Sequence, residues 1–205
     1  MHRQKFAALY MLALTSGMRE GELLGLRWRD VAETHVIVSR RLDQRTRNRE
    51  ATKTQSSVRR VDLPASMMAA LRQHRERMRI EGLRAAADDL VFVNTVGGPI
   101  SVTNMRSRDF QKLLTAAGLS TRIRFHDLRH SHAALLLSKG ENIIALQKRL
   151  GHGDPATTLR YYGHYLPTEQ SHAAGVAETL FGKVSSLIVP IAKSPAKSPT
   201  RRKAA

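Results

Sequence analysis

Four short stretches of this sequence carry side chains that do chemistry. Thr15-Ser16-Gly17-Met18-Arg19-Glu20-Gly21-Glu22 sets an arginine in a glycine-punctuated turn between two helical patterns. The run from Ala51 to Arg60 sets Lys53 near a predicted hairpin. In Phe125-His126-Asp127-Leu128-Arg129-His130-Ser131-His132, His126 and Arg129 are three apart and share one helical face. Leu150-Gly151-His152-Gly153-Asp154 precedes a segment in which Tyr161 and Tyr162 are adjacent. Guanidinium forks grip two phosphate oxygens at once, and imidazoles move protons or bind metals. Taken singly, each group also has a plainer reading. Arg19 reads as a surface arginine beside a helix cap and Lys53 as a solvated side chain. His126 and His130, four apart, suit a zinc ion, but the glutamate that follows the first histidine of the metalloprotease pattern is absent. His130 and His132 then read as helix-packing or surface polar groups.

The elements that must hold these groups are mostly helical. Phe6, Leu9, Tyr10, Ala13 and Leu14 are spaced for one buried face of a helix over 4–16, which Gly17 ends, and a short helix over 20–26 follows. Val36-Ile37-Val38 reads as a strand, 39–49 as a polar turn, and 51–63 as one or two further strands of a small antiparallel sheet. Pro64 opens a helix to about residue 79. Leu90 to Val93 reads as a buried strand closed by Gly97-Gly98-Pro99. Helices are predicted over 103–117, 126–138, 142–150 and 156–165, with Gly118, Gly140 and Gly151 at ends, and a last one over 168–182. The fold class expected is α+β, with no internal repeat.

Composition sets the partner. Among 205 residues the formal charge is +17, and 41% hydrophobic residues suffice for a core. There is no cysteine, so disulfide and thiolate sites are excluded. No apolar run approaches the roughly 20 residues of a spanning helix, and the N-terminus has no signal-peptide pattern. The sequence reads as soluble and cytoplasmic. So basic a chain is built to sit beside nucleic acid; an anionic membrane is the weaker alternative, because aromatic anchors are only 5% of residues. Residues 185–205 hold three of seven prolines, five Lys/Arg and no acid, and read as a disordered basic tail. Without that tail the net charge of residues 1–184, the expected folded domain, is still +12.

In series, the motifs resemble the tyrosine recombinases, or phage-type integrases. The matching strings are Thr-Ser-Gly-Met-Arg-Glu-Gly-Glu-Leu-Leu-Gly-Leu-Arg-Trp at 15–28, Thr-Lys-Thr at 52–54, His-Asp-Leu-Arg-His at 126–130, Leu-Gly-His at 150–152 and Tyr-Gly-His at 162–164. Five strings in family order span about residues 5–167. The resemblance implies a catalytic domain that breaks and rejoins DNA through a 3′-phosphotyrosine. Arg19 matches the family's first arginine, Lys53 the lysine of the sheet hairpin, His126 and Arg129 the His-x-x-Arg pair, His152 the second histidine and Tyr162 the nucleophile. Tyr161 is the alternative nucleophile, one residue nearer His152. On this reading the family's N-terminal clamp domain has no counterpart here, so DNA binding is expected to be weak and salt-sensitive.

The chemistry fits those groups. Phosphoryl transfer gathers charge on non-bridging oxygens, which Arg19 and Arg129 would hold, with His152 as a further donor. Ionising a tyrosine at neutral pH costs roughly 4 kcal/mol, and His126 is the expected acceptor or relay for its proton. Lys53 is the expected acid for the leaving 5′-oxygen. No metal, ATP or other cofactor is required, because the phosphotyrosyl ester keeps the energy of the broken bond. Double-stranded DNA is the expected partner. The helix over 168–182, with Val176, Leu180 and Phe181 on one face, is expected to join protomers into a tetramer or to pack on its own domain. Two other readings stay open: a non-catalytic DNA-binding remnant and a type IB topoisomerase-like relaxase.

Overall fold

A computed structural model describes residues 6–42, 49–51 and 58–163 of the chain. The expected helix over 168–182, the tail over 185–205 and Lys53 lie outside these residues. Helix α1 (Ala7–Ser16) ends on Gly17, whose left-handed backbone (φ 64°) turns the chain at once into α2 (Glu20–Gly25). Glu22, at the third position of α2, reaches back to accept the Arg19 N–H at 2.8 Å. That bond satisfies a donor that the helix start leaves orphaned, and it ties the Arg19 backbone to the helix.

Strand β1 (His35–Val38) is followed directly by β2 (Arg40–Leu42), and the chain returns as β3 (Arg49–Ala51) and β4 (Arg59–Asp62). The pairs β1–β4 and β2–β3 are antiparallel, in the registers Val36↔Val61 and Arg41↔Glu50. The stretch read as turn from residue 39 therefore begins as strand. In β4 burial alternates, so Arg59 and Val61 face inward while Arg60 and Asp62 face out.

Helix α3 (Ala65–Ile80) covers the main core with Met67, Met68, Leu71 and Met78. The segment expected as a strand at 90–93 is not one. Among the described residues its one ladder contact is the Arg27↔Leu90 bridge, although Val91, Phe92 and Val93 are buried. It runs beside the loop and 3-10 turn that follow α2, taking the Leu26 carbonyl with the Val91 N–H, and no described strand pairs with it.

A continuous helical stretch follows: α4 (Val102–Asn104), a π-helical run (Met105–Phe110) and α5 (Gln111–Ala116). Arg106 in the π run holds Glu20 of α2 with a two-point ion pair. Then come α6 (Asp127–Ser138), α7 (Ile143–Leu150) and α8 (Pro155–Tyr162). Asn142 caps α7, and Asp154 caps α8 ahead of its first-turn proline. These three helices enclose a second core of Ala133, Leu137, Leu146, Leu150 and Tyr162. The fold is mostly helical with a small antiparallel sheet, as expected. No helix among the described residues is long and apolar enough to cross a membrane.

Candidate active site

The site is organised around the C-terminal end of α7. Its last carbonyls lack helical partners, and Gly151 (φ 67°) turns the chain away from them. Arg129, on the inner face of α6, donates to the Leu150 carbonyl at 2.9 Å and the Gly17 carbonyl at 2.6 Å. Arg19 donates to the next carbonyl, that of Gly151, at 3.0 Å. Adjacent carbonyls therefore hold two guanidinium groups from opposite ends of the domain. Their exposure differs: Arg129 is buried, whereas the Arg19 side chain is 42% exposed. Burial, then the charge of Arg19, lowers the Arg129 pKa to about 9, so it remains a cation at neutral pH.

Beneath Arg19 lies a buried carboxylate. Glu22 accepts from Arg19 at 3.2 Å and from both terminal nitrogens of Arg59 at 3.0 and 2.8 Å. Arg59 also donates its Nε to the Arg149 carbonyl at 2.7 Å, near the end of α7. Burial pushes the Glu22 carboxyl up, but hydrogen bonds and charge from Arg59 and Arg19 outweigh it and hold the group below its ordinary range. The Arg59 guanidinium lies so close to Gly151 that a Cβ there would meet its Nη1 at 2.8 Å. One fork thus joins β4, α2 and the turn after α7.

His152 follows Gly151 directly. Its Nδ1 lies 2.8 Å from the hydroxyl of Thr158, a fully buried residue of α8. Burial, then the positive charges of Arg129, Arg19 and Arg59, lowers its pKa to about 4. The ring is neutral at pH 7. If the Thr158 hydroxyl donates into Nδ1, the ring proton sits on Nε2 and can be offered to an anion.

Thr158 and Tyr162, one helical turn apart on α8, both face inward; Tyr162 is 3% exposed and its neighbour Tyr161 is 51% exposed. Successive helix residues point about 100° apart, so only one of the tyrosines can face the core. The Tyr162 hydroxyl lies 2.6 Å from Nδ1 of His130 on α6. The sequence reading expected His126 at this hydroxyl. His126 instead precedes the first turn of α6, with its ring edge-on to His130 at 4.8 Å between centroids. Burial, then the charges of His130 and Arg129, lowers its pKa below the ordinary histidine value.

His132 faces elsewhere. Its Nδ1 meets the Leu14 carbonyl at 2.8 Å, and its Nε2 accepts from Arg149 at 3.1 Å. This is the packing role read for it. His130, read the same way, is at the hydroxyl instead. Among the described residues no group of three or more His, Asp or Glu side chains is placed to hold a metal ion.

The structure thus brings Arg19, Arg129, His152 and Tyr162 to the α7 end, with His126 beside them. Sequence reasoning missed Glu22, Arg59 and His130. The i+4 spacing of His126 and His130 was on view, and so was the period-two inward position of Arg59 with Val61.

The comparisons with known proteins agree with this architecture. The Phage integrase family model matches residues 2–169. A tyrosine recombinase XerC-like protein of Caldanaerobacter subterraneus subsp. tengcongensis is 33% identical over 200 residues, covering 88% of this chain and 50% of the relative. The ICEBs1 integrase of Bacillus subtilis is 31% identical, covering 85% and 49%. The chain therefore spans about half the length of these curated relatives. In fold it is similar to the Tn1549 transposon integrase solved with circular intermediate DNA: TM-score 0.71, 25% identity, 86% of this chain and 60% of that one. The catalytic domain of bacteriophage HP1 integrase superposes with a TM-score of 0.54 at 16% identity over 92% of both chains. The chain belongs to the phage integrase family of tyrosine recombinases.

Proposed function

We propose that this chain is the catalytic domain of a site-specific DNA recombinase that cleaves and rejoins a strand through a 3′-phosphotyrosyl intermediate. The observation that carries this reading is the convergence at the α7 end: two arginines on adjacent carbonyls, a neutral histidine next in sequence, and a tyrosine hydroxyl on the helix that follows. Arg19 and Arg129 hold the non-bridging oxygens of the scissile phosphate. At about 4 Å and an effective dielectric near 20, each such contact is worth on the order of 4 kcal/mol. His152 adds a neutral donor, and Tyr162 is the nucleophile. His126 lines the approach, and Lys53 is the acid for the 5′-oxygen. Rejoining reverses the transfer with no nucleotide cofactor. Double-stranded DNA is the partner, consistent with the +17 charge and with the DNA complex of the Tn1549 integrase. The protein works in the cytoplasm on bacterial or phage DNA, as a tetramer across two duplexes.

The test is covalent trapping on nicked DNA. Wild type and Tyr161→Phe should form a protein–DNA adduct, and Tyr162→Phe should not. An adduct that survives in Tyr162→Phe and vanishes in Tyr161→Phe would reassign the nucleophile. Gel retardation with no adduct in any variant would identify a DNA binder. Relaxation of supercoiled plasmid without rearrangement of two-site DNA would identify a relaxase. Light scattering of the DNA complex should report four protomers; a monomer would exclude exchange between duplexes.

A further inference from the structure

We propose that His130 is the proton acceptor for the attacking tyrosine, an assignment that rests on the strand-transfer reading above. The Tyr162 hydroxyl is 2.6 Å from His130 Nδ1, and their ring centroids are 5.6 Å apart. Tyr162 is a core residue at 3% exposure, so bulk water has poor access to its proton. Among the described residues three imidazoles stand near the site. His152 has its Nδ1 committed to Thr158, and His126 meets the edge of the His130 ring. His130 alone among them is in hydrogen-bond geometry with the hydroxyl. Its neighbour in sequence is Arg129, so one turn of α6 carries both the phosphate clamp and the base.

The step balances as follows. A neutral His130 with its proton on Nε2 accepts at Nδ1. As the Oη–P bond forms and the P–O5′ bond breaks, the hydroxyl proton moves to Nδ1 and the 5′-oxygen takes a proton from Lys53. On rejoining, the 5′-hydroxyl gives its proton back to the Lys53 amine as it attacks phosphorus, the phenolate leaves, and imidazolium returns the proton to Oη. The ionisable groups facing His130 are His126, Asp127 and Arg129 on or beside its own helix, Tyr161 and Tyr162 on α8, and His152 in the turn between α7 and α8.

The experiment uses the full chain and a pool of nicked duplexes randomised around the nick, with the rate of adduct formation read on denaturing gels. The informative variant is His130→Asn, whose amide sits near the position of Nδ1 and keeps a hydrogen bond but cannot store a proton. It should slow adduct formation by about a hundredfold or more, and His126→Asn should slow it less. Fluorotyrosine at position 162, a more acidic phenol, should recover most of the His130→Asn loss and little of the His126→Asn loss. That recovery in one and the same variant separates proton transfer from a folding defect. A wild-type rate in His130→Asn, a deficit that fluorotyrosine leaves unchanged, or recovery confined to His126→Asn would overturn the assignment. An adduct in Tyr162→Phe, or none in wild type, would overturn the strand-transfer reading itself and this base with it.

Discussion

Replacing Glu22 by Gln should cost both stability and activity, and the two losses can be pulled apart. The Glu22 and Arg59 side chains are 4% and 6% exposed, and their shortest contact is 2.8 Å. Removing one charge of a buried ion pair typically costs about 3–5 kcal/mol. Glutamine keeps one acceptor oxygen, which places the expected loss near the lower end, about 3 kcal/mol. With a urea slope of about 2 kcal/mol/M, the unfolding midpoint should fall by about 1.5 M. Replacing both partners, as in Glu22→Met with Arg59→Met, removes both buried charges and should restore at least half of that loss. It should not restore adduct formation on nicked DNA, because Arg19 has still lost the carboxylate that orients it. A midpoint shift below about 0.3 M in Glu22→Gln would refute the argument that this pair carries a large desolvation burden. A double variant that cleaves at the wild-type rate would refute the claim that Glu22 positions Arg19.

Gly17→Ala should destabilise by about 2–4 kcal/mol in urea titrations, since it adds left-handed strain to overpacking; the new Cβ would lie 2.5 Å from the His132 ring and 2.8 Å from Leu150. Thr158→Val should slow adduct formation about tenfold, the worth of one hydrogen bond, because His152 loses the partner that sets its tautomer; an unchanged rate would remove Thr158 from that role. His132, lowered to about 4 by burial and then by Arg149, resists protonation in the native state. The unfolded chain binds that proton below about pH 6.5. Its contribution is therefore complete above pH 6.5 and lost as the pH falls toward 4, by about 2 kcal/mol after allowance for partial solvent access. Urea midpoints should decline less over this window in His132→Asn than in wild type, and parallel declines would refute the assignment.

The helices were legible because their stops are chemical. Gly17 and Gly151 take left-handed backbones where the chain must turn, and Asn142 and Asp154 are side chains that cap. The run Leu90–Val93 was misread because burial alone does not distinguish a strand from an irregular segment lying in the core. The π-helical run at Met105–Phe110 has no sequence mark of its own. At the site, residue type and order singled out Arg19, Arg129, His152 and Tyr162, which the fold brings to the α7 end. What they could not reveal was who touches whom across separations of 32 to 132 residues. Arg59 drew no reading of its own in the sequence, and only the pairing of β4 with β1 turns it inward. His130 and His126 share a helix face, and which of them meets Tyr162 depends on where α8 packs against α6.

Arg129 bears on how readily the pocket receives its substrate. Its hydrogen bonds run to peptide oxygens of Gly17 and Leu150, which are neutral dipoles. On the reading proposed above, an incoming phosphodiester would meet a cation held by main-chain oxygens, with no carboxylate among the described residues hydrogen-bonded to it. The rigidity needed for alignment comes from the main chain, and on that reading the guanidinium keeps its ionic hydrogen bonds for the DNA.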